Sequence, residues 1–301
     1  MEQKKEKDEY MLAKFEEAYS NLSFSDDFIF GKVMQDKRLS IPLLKLLTGN
    51  DINDVENIEV QKQIKITYDS KGTRYDVYLE DNNNRMYDSE MQQRASRKGK
   101  LPKRIRFYQG MMDLNELENG CSYEKLKESY VIFICRFDPF NKNRCMYSFE
   151  NLCREDSNLS LGDGRKIFLF NTKGDRNDTP QELADFLDYI ETGTVKDKFT
   201  GQIDNAVKMA KMNHEWKVEF MKELLRYQDA RDDGFEDGFE NGFENGFEDG
   251  FENGMKKGES LGRIKILYAL VQENVITLDK AAENAEMNVD EFEKMINEIF
   301  S

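Results

Sequence analysis

Residues 72–92 read GTRYDVYLEDNNNRMYDSEMQ, and this stretch decides the fold of the protein. Apolar and polar side chains alternate on both sides of the three asparagines, and a period of two predicts a pair of β-strands. Asparagine tolerates the left-handed backbone of tight turns, so residues 82–84 predict the loop of a hairpin. Pairing Asp81 with Arg85 across that loop places Asp76 opposite Glu90, with both side chains on one face.

The Asp76 and Glu90 pair predicts a cluster of negative charge on that face. Opposed Cβ atoms lie about 4.5–5.5 Å apart, where like charges repel unless a cation lies between them. Mg²⁺ prefers oxygen ligands and is often held by one or two carboxylates, with water and phosphate completing its coordination. The pair therefore predicts a divalent-metal site, and the alternative is a surface hairpin with an acidic, wet face. In both interpretations we expect the carboxylate face to be exposed to solvent.

A basic segment follows the hairpin. Residues 94–106 contain seven cations and no acidic residue, although the whole chain has a formal net charge of −15. Lys and Arg side chains supply most protein contacts to nucleic-acid phosphates. The segment therefore predicts that a polyanion binds beside the hairpin. The candidate DNA-binding residues are Arg94, Arg97, Lys98, Lys100, Lys103, Arg104 and Arg106.

An ordered set of sequence blocks resembles one known family over nearly the whole chain. Asp76 and the tripeptide Glu90-Met91-Gln92 resemble the Asp…Glu-x-Lys site of the PD-(D/E)XK nucleases, in the branch of recombination-promoting nucleases and transposases called the Rpn family. Further blocks are SDDFIFGKVM at 25–34, KRIRFYQ at 103–109, SYVIFICRFDPF at 129–140 and a glycine-periodic tail. The D…ExQ pattern alone is weak, whereas the ordered set is specific.

The resemblance implies an α/β fold with a restriction-endonuclease-like core of helix, three-stranded meander, helix and strand, followed by a helical C-terminal arm. It also implies a metal-dependent DNA endonuclease in which Asp76, Glu90 and the Met91 carbonyl hold Mg²⁺, for which Mn²⁺ can substitute. The alternative function is a catalytically inactive DNA-binding or regulatory oligomer that retains the nuclease fold.

Gln92 departs from the superfamily pattern, because it stands where the resemblance implies a lysine. Its implied role is to position the attacking water. A neutral amide can hydrogen-bond but cannot stabilise developing negative charge as a lysine does. Two alternatives follow: activity is weaker, or one of Lys103, Arg104 and Arg106 supplies the missing cation.

Composition argues against several other classes of protein. The first ten residues are too charged for a signal peptide, and no apolar run approaches the roughly 20 residues needed to cross a membrane. The four cysteines have no Cys-x-x-Cys spacing and His214 is the only histidine, which disfavours zinc binding and histidine catalysis. We therefore expect a cytoplasmic protein with reduced thiols and no membrane partner.

Periodicity and composition divide the chain into four predicted regions. They are a nuclease-like core at 1–195, a long amphipathic helix within 196–233, a Gly-Phe-Glu repeat at 234–262 and a small acidic helical unit at 263–301. The single long helix is expected over residues 202–231.

Two helices of the core bear on the site. Asp26 or Asp27 is expected to cap a helix that ends near Gly49, and the resemblance makes a substrate-side role for Asp27 the alternative. Residues 101–117 predict a helix that turns its basic side towards substrate. Its inward residues are expected to be Phe107, Met111 and Leu114, and its substrate-facing residues Arg104 and Tyr108.

The tail contains the tandem repeat GFED-GFEN-GFEN-GFED-GFEN, and eight glycines fall four residues apart from Gly234 to Gly262. Each glycine costs about 1 kcal/mol of helix propensity relative to alanine, so disorder is one interpretation. A row of small residues also lets two helices approach closely. We favour a self-associating helix, which makes the protein a homo-oligomer.

Charge separates the tail from the core. Residues 231–301 contain eighteen acidic and seven basic side chains, so this part of the chain is a poor DNA surface. Residues 278–296 have the spacing of a small helix-turn-helix. Because that unit is acidic, we expect it to pack or bind a partner rather than to read DNA.

Overall fold

The computed structural model describes residues 2–65, 72–95, 100–117, 120–273 and 275–300, with the backbone alone at 2–10, 229–230, 232–234, 236–253, 256–257 and 300. The chain divides into two compact units, Met1–Lys222 and Glu223–Ser301. Within these described ranges, no helix combines the length and the apolar character required to cross a membrane.

The first unit is built around one sheet. Its strands are β1 (Val55–Ile64), β2 (Thr73–Asp81), β3 (Arg85–Gln92), β4 (Glu128–Cys135), β5 (Met146–Phe149) and β6 (Arg165–Asn171). Its helices are α1 (Glu2–Ser20), α2 (Asp27–Met34), α3 (Lys37–Thr48), α4 (Lys100–Glu116), α5 (Gln181–Thr192), α6 (Lys198–Met212) and the start of α7 (His214–Gln272). The predicted order of helix, three-stranded meander, helix and strand is confirmed.

The β2–β3 hairpin has the register that the sequence predicts, with Tyr78 opposite Asp88 in an antiparallel ladder. The Asp81 carboxylate accepts a hydrogen bond from the Asn83 backbone N–H at 2.9 Å, which holds the turn closed. Asn84 has a φ of 62°, the left-handed conformation that asparagine tolerates. Turn chemistry therefore sets which side chains of the two strands share a face.

The sheet has the strand order β1-β2-β3-β4-β6-β5. The first three strands are antiparallel, β4 lies parallel to both β3 and β6, and β5 closes the edge in the antiparallel sense. Parallel neighbours require a crossover connection, and α4 lies in the connection from β3 to β4. The α4 side of the sheet has one hydrophobic cluster, and α2, α3, α5 and α6 form a second on the opposite side.

The carboxylate face of the hairpin is buried, so the expectation that it would be exposed is wrong. Glu90 is 3 % exposed and Asp88 is 0 % exposed. The physical reason is the crossover helix: Leu101 and Ile105 of α4 join Phe133 of β4 in the cluster that covers this face. A strand with a parallel neighbour is commonly covered on both faces, and β3 follows that rule.

Helix α4 buries a different side from the one that the sequence predicts. Met111 is buried as predicted, but Phe107 is 38 % exposed and Leu114 is 62 % exposed. The side chains spaced for the sheet-facing row are Leu101, Ile105 and Met112. The predicted inward position of Phe107 and Leu114 is therefore wrong, because a second apolar stripe of the helix faces outwards.

The apolar run after Asp26 forms two helices. Asp26 occupies the N-cap position of α2 without a side-chain capping bond, whereas the Asp36 side chain caps α3 and Gly49 ends it with a φ of 72°. A Cβ atom on Gly31 would lie 2.5 Å from Val60 Cγ1. Glycine at that position therefore allows α2 to approach the sheet closely.

The long helix predicted over residues 202–231 is interrupted, which corrects that expectation. Asn213 adopts an extended ψ of 113° between α6 and α7, and its side chain accepts a hydrogen bond from the Trp216 N–H at 3.1 Å. Helix α7 then continues through the repeat to Gln272, so the backbone of the repeat is helical rather than disordered.

The second unit closes with a small helical core. Helices α8 (Leu278–Asn284) and α9 (Val289–Phe300) form the predicted helix pair. Its buried side chains are Ile264, Leu267, Ala281, Ala282, Phe292 and Ile296. The last turns of α7 therefore belong to the packing of this unit.

Candidate functional site

Side chains join the two hairpin strands at the predicted site. The pairing of β2 with β3 runs as far as Val77 and Ser89. Beyond it, the Asp76 N–H donates to Glu90 Oε1 at 3.0 Å, and the Met91 N–H donates to Asp76 Oδ2 at 3.1 Å. The register thus brings Asp76 and Glu90 together, near the carboxyl end of β3.

Three carboxyl groups form what we call the acidic cluster: Asp76, Asp88 and Glu90. Burial, followed by the charges of Glu90 and Asp27, raises the pKa of Asp76 to about 8. Burial also raises the pKa of Glu90, although the charge of Arg104 opposes that shift. A site that disfavours its own negative charge is one that a cation would stabilise.

Asp88 is the innermost member of the acidic cluster. Burial and the charge of Glu90 raise the pKa of Asp88 well above its ordinary value. Its carboxylate oxygens have no hydrogen-bond partner among the described residues. When Asp88 is protonated, however, it can donate to Glu90, and this also favours the protonated form.

Arg104 is the cation that contacts the acidic cluster. Its Nη2 donates to Glu90 Oε2 at 2.9 Å, and its guanidinium lies 4.7 Å from the ring centroid of Phe133. Lys103 and Arg106, the other two candidates for the missing cation, are exposed. In the described part of the chain, neither of them forms an ion pair with the cluster.

Hydrogen bonds fasten α4 to β2 and so fix the position of Arg104. The Tyr75 hydroxyl donates to the Tyr108 carbonyl at 3.0 Å, and the Tyr108 hydroxyl donates to the Arg74 carbonyl at 3.3 Å. The Arg104 guanidinium also lies 5.4 Å from the Tyr108 ring centroid. Tyr108 therefore links helix α4 to strand β2 beside Arg104.

The two aspartates before α2 have different surroundings. Asp27 Oδ2 lies 3.7 Å from Arg74 Nη2, and its charge contributes to the raised pKa of Asp76. Asp26 instead accepts hydrogen bonds from the Ser23 N–H at 2.6 Å and from Gln93 Nε2 at 2.7 Å. Asp27 is therefore the aspartate close to the acidic cluster, and Asp26 holds the turn that precedes the helix.

Gln92 lies at the end of β3 and is half-buried. Its side-chain Nε2 donates to the Arg94 carbonyl at 2.9 Å, and its own backbone carbonyl accepts from the Arg136 N–H at 3.0 Å. Met91, whose carbonyl was predicted as a metal ligand, is 7 % exposed. The backbone that follows Glu90 is thus hydrogen-bonded to the chain after β4 through the Gln92 carbonyl.

The predicted DNA-binding residues are only partly described. Arg94, Lys100, Lys103 and Arg106 are exposed. Arg97 and Lys98 lie outside the described residues. Four of the seven, Lys100, Lys103, Arg104 and Arg106, line one cavity together with Arg74.

The residues present fit a divalent cation. The Asp76 and Glu90 carboxylates each accept a backbone N–H of the opposite strand, and Mg²⁺ typically uses one or two carboxylates and leaves its other positions to water and phosphate. Over the described ranges, no group of three or more His, Cys, Asp and Glu residues is arranged to hold a metal ion. The donor set therefore suits a metal that substrate and water also coordinate.

Sequence reasoning missed Asp88 as a member of the site, and it named Arg104 as one of three candidates for the missing cation without choosing among them. Asp88 could have been found, because it precedes Glu90 by two residues and therefore points to the same face of the strand. The position of Arg104 depends on how α4 is rotated over the sheet. That rotation follows from packing and not from the local spacing of charges.

Comparison with known proteins gives two matches to family models. The first, described as PD-(D/E)XK nuclease family transposase, covers residues 23–231, which is more than half of the chain. The second, described as Essential protein Yae1, N terminal, covers residues 232–268, which include the repeat. No curated protein and no solved structure matches the chain.

Proposed function

The chain belongs to the PD-(D/E)XK nuclease family transposases, and on that premise we propose that it is a metal-dependent DNA endonuclease that hydrolyses phosphodiester bonds and promotes recombination. The observation that carries the proposal is the acidic cluster, in which buried Glu90 and half-buried Asp76 are held together by two side-chain to backbone hydrogen bonds. Like charges placed together with little solvent are costly unless they are paired or bind a metal, so this cluster favours a functional site.

Asp76, Glu90 and the Met91 carbonyl are the proposed ligands of Mg²⁺, with Mn²⁺ as a possible substitute. The metal supplies a lowered water pKa and neutralises charge on the scissile phosphate when it is bound. Asp88 supports Glu90 from within the sheet: in its protonated form it donates to the Glu90 carboxylate and adds no further negative charge. The backbone bonds to Asp76 and Glu90 keep both carboxylates in place before substrate arrives.

Gln92 and Arg104 together are proposed to replace the lysine of the superfamily pattern: Gln92 orients the attacking water, and Arg104 supplies the positive charge. The Gln92 amide nitrogen already donates to the Arg94 carbonyl, which leaves the amide oxygen to accept a hydrogen bond from the attacking water. Arg104 uses one N–H of Nη2 on Glu90, its Nε is buried, and its two terminal nitrogens carry three further N–H donors. It is therefore the proposed source of positive charge beside the phosphate.

The basic segment is proposed to hold the DNA backbone. Its exposed members Lys100, Lys103 and Arg106 have no ion-pair partner within the described residues, so their charge is available to phosphates. The same proposal covers Arg94 and the two undescribed cations Arg97 and Lys98.

The repeat is proposed to make the protein a homo-oligomer. Two properties support this: α7 is helical across the repeat, and its glycines fall four residues apart, which places them in one row on the helix. A row of glycines is useful when another backbone lies against it. We also propose that the four regions predicted from the sequence, 1–195, 196–233, 234–262 and 263–301, have separate roles, with self-association assigned to 234–262.

A nicking assay tests the proposed activity. Supercoiled plasmid is incubated with wild-type protein and with Asp76→Asn, each with Mg²⁺ and with a chelator. We expect nicking by the wild type with Mg²⁺ alone, because the variant keeps the shape of the side chain but loses a metal ligand. DNA binding without nicking by either protein supports the alternative, an inactive DNA-binding oligomer.

A further inference from the structure

The outer side of α4 forms a groove whose apolar lining the proposed function does not use. It has a volume of about 550 Å³, which lies in the range of about 300–1,000 Å³ typical of small-ligand pockets. Its charged lining consists of Arg74, Lys100, Lys103, Arg104 and Arg106. We call this cavity the basic groove.

The charge of the basic groove contrasts with that of the whole chain. The formal net charge of the protein is −15, yet five cations line this one cavity. Arg74 and Arg104 are paired with Asp27 and Glu90, whereas Lys100, Lys103 and Arg106 form no ion pair in the part of the chain that the structure describes. An anionic ligand is therefore the natural complement of the groove.

The groove also exposes apolar surface among its cations. Phe107 is 38 % exposed and Leu114 is 62 % exposed, and both line the cavity. They lie seven residues apart on α4, and Gly110 lies between them on the same side of the helix. Phosphate groups alone would not contact the apolar stripe formed by Phe107, Gly110 and Leu114. A ligand that carries both phosphates and flat apolar rings would use all of it.

We propose that the basic groove binds single-stranded DNA, with an unpaired base stacked on Phe107 and the adjoining phosphates on Lys103 and Arg106. Single-strand binding sites combine a cationic track with aromatic side chains that stack on bases. Duplex DNA keeps the faces of its bases covered by their neighbours, so it offers Phe107 no surface. This inference rests on the proposed nuclease function and specifies the form of its DNA substrate.

The groove and the acidic cluster are continuous through one residue. Arg104 lines the groove and also donates to Glu90 at 2.9 Å. A strand held along α4 therefore reaches the proposed cleavage site without a second binding surface. DNA with an unpaired segment next to the scissile bond, such as a flap or a gap, is the substrate form that this placement favours.

The first experiment measures binding without cleavage. A labelled single-stranded oligonucleotide that contains 2-aminopurine is titrated with Asp76→Asn protein in chelator, with and without the additional change Phe107→Ala. Stacking on aromatic side chains contributes about 1–3 kcal/mol per base, so Phe107→Ala is expected to weaken binding about 5- to 150-fold and to remove quenching of the 2-aminopurine fluorescence. Duplex binding should change little.

Two controls distinguish loss of stacking from loss of structure. Tyr123→Ala removes an aromatic side chain that is 82 % exposed and does not line the groove, and it should leave binding unchanged. Gly110 lines the groove, and a Cβ at that position meets no heavy atom within 4 Å. The change Gly110→Leu therefore places a side chain in the groove without a clash at its Cβ. Leucine is the better helix former, so this variant should keep its melting temperature and still lose single-strand affinity.

The outcomes separate this inference from the proposed function. Single-strand affinity that survives both Phe107→Ala and Gly110→Leu overturns the inference, even when Asp76-dependent nicking persists. Absence of nicking, together with Phe107-dependent single-strand binding, overturns the proposed activity instead. An RNA of the same sequence that binds more tightly than the DNA overturns the assignment to DNA.

Discussion

The two sides of α4 place opposite chemistry next to each other. Its inner side covers the acidic cluster, where Glu90 is 3 % exposed, and its outer side forms the basic groove, where Phe107 is 38 % exposed. Burial raises the pKa of Asp76 and of Glu90 on the inner side. The side chains of the outer side are exposed and therefore accessible to a ligand. The two sides therefore differ in burial and in charge, and Arg104 is their point of contact, because it lines the groove and donates to Glu90.

The largest effect is expected on the inner side. Glu90→Gln should reduce metal-dependent cleavage by about 10²-fold or more, because loss of several kcal/mol of charge stabilisation slows a reaction about tenfold for each 1.4 kcal/mol. The matched control is Glu80→Gln, which removes a carboxylate of β2 that is paired with Lys127 at 2.8 Å. Single-turnover cleavage rates provide the measurement. Equal losses in both variants would show that the effect is structural.

Arg104→Gln tests the point of contact between the two sides. We expect cleavage to slow by roughly 10- to 100-fold, since a charge-assisted bond of about 1.5–3 kcal/mol is lost. Metal affinity should stay equal or increase, because Arg104 no longer competes for the Glu90 carboxylate. Calorimetric titration with Mg²⁺ and cleavage rates are compared on the same protein. Weaker metal binding would mean that Arg104 organises the metal ligands rather than the phosphate.

A smaller effect is expected on the outer side. The triple variant Lys100→Gln, Lys103→Gln and Arg106→Gln should flatten the dependence of log affinity on log salt by about 2, at about 0.7 for each phosphate contact to a single strand. The cleavage rate at saturating DNA should stay close to that of the wild type. The control is a variant in which three exposed cations outside the groove, Lys142, Arg154 and Lys173, are changed to glutamine. An equal change of slope in the control would mean that the groove has no special role.

The smallest effect on chemistry is expected in the repeat. Gly242→Leu with Gly246→Leu should reduce the molecular mass in solution without changing cleavage per site on short DNA, because leucine side chains prevent close approach of two helices. Leucine is also the better helix former, so helix content should not fall. Light scattering and circular dichroism measure the two quantities. An unchanged mass with a higher helix content would contradict self-association through the glycine row.

The sequence predicts the hairpin more closely than it predicts the helix that covers it. The register follows from a period of two and from a turn of asparagines, both of which are local properties. Local pattern alone therefore brings Asp76 and Glu90 together. The rotation of α4 is not local: the helix has two apolar stripes, and only packing against β4 decides which one is buried. For that reason the exposure of Phe107 and the contact of Arg104 with Glu90 come from the structure.

The break at Asn213 illustrates a second limit. Residues 202–231 have a continuous helical pattern, and asparagine inside such a pattern is tolerated in many helices. Here its side chain accepts the Trp216 N–H and starts a new helix. A helix cap of this kind depends on the backbone geometry of one residue, which hydrophobic periodicity does not encode.

The pH dependence of stability shows whether the acidic cluster binds a metal ion. Burial, followed by the charge of Glu90, raises the pKa of Asp76 from 3.8 to about 8. Between these values the folded metal-free protein holds a proton that the unfolded chain has released. The contribution of Asp76 to the free energy of unfolding is therefore largest near pH 4 and is lost as the pH rises to about 8.

The measurement is chemical denaturation of wild type and Asp76→Asn from about pH 4 to about pH 8, in chelator and in Mg²⁺. Asparagine resembles the protonated carboxyl group, so the variant should show a smaller decline in chelator than the wild type, with the remainder due to Asp88 and Glu90. Mg²⁺ should restore the stability of the wild type at the upper end of this range and leave the variant unchanged. Identical pH profiles for both proteins, with no effect of Mg²⁺ on either, would contradict a metal site at Asp76 and Glu90.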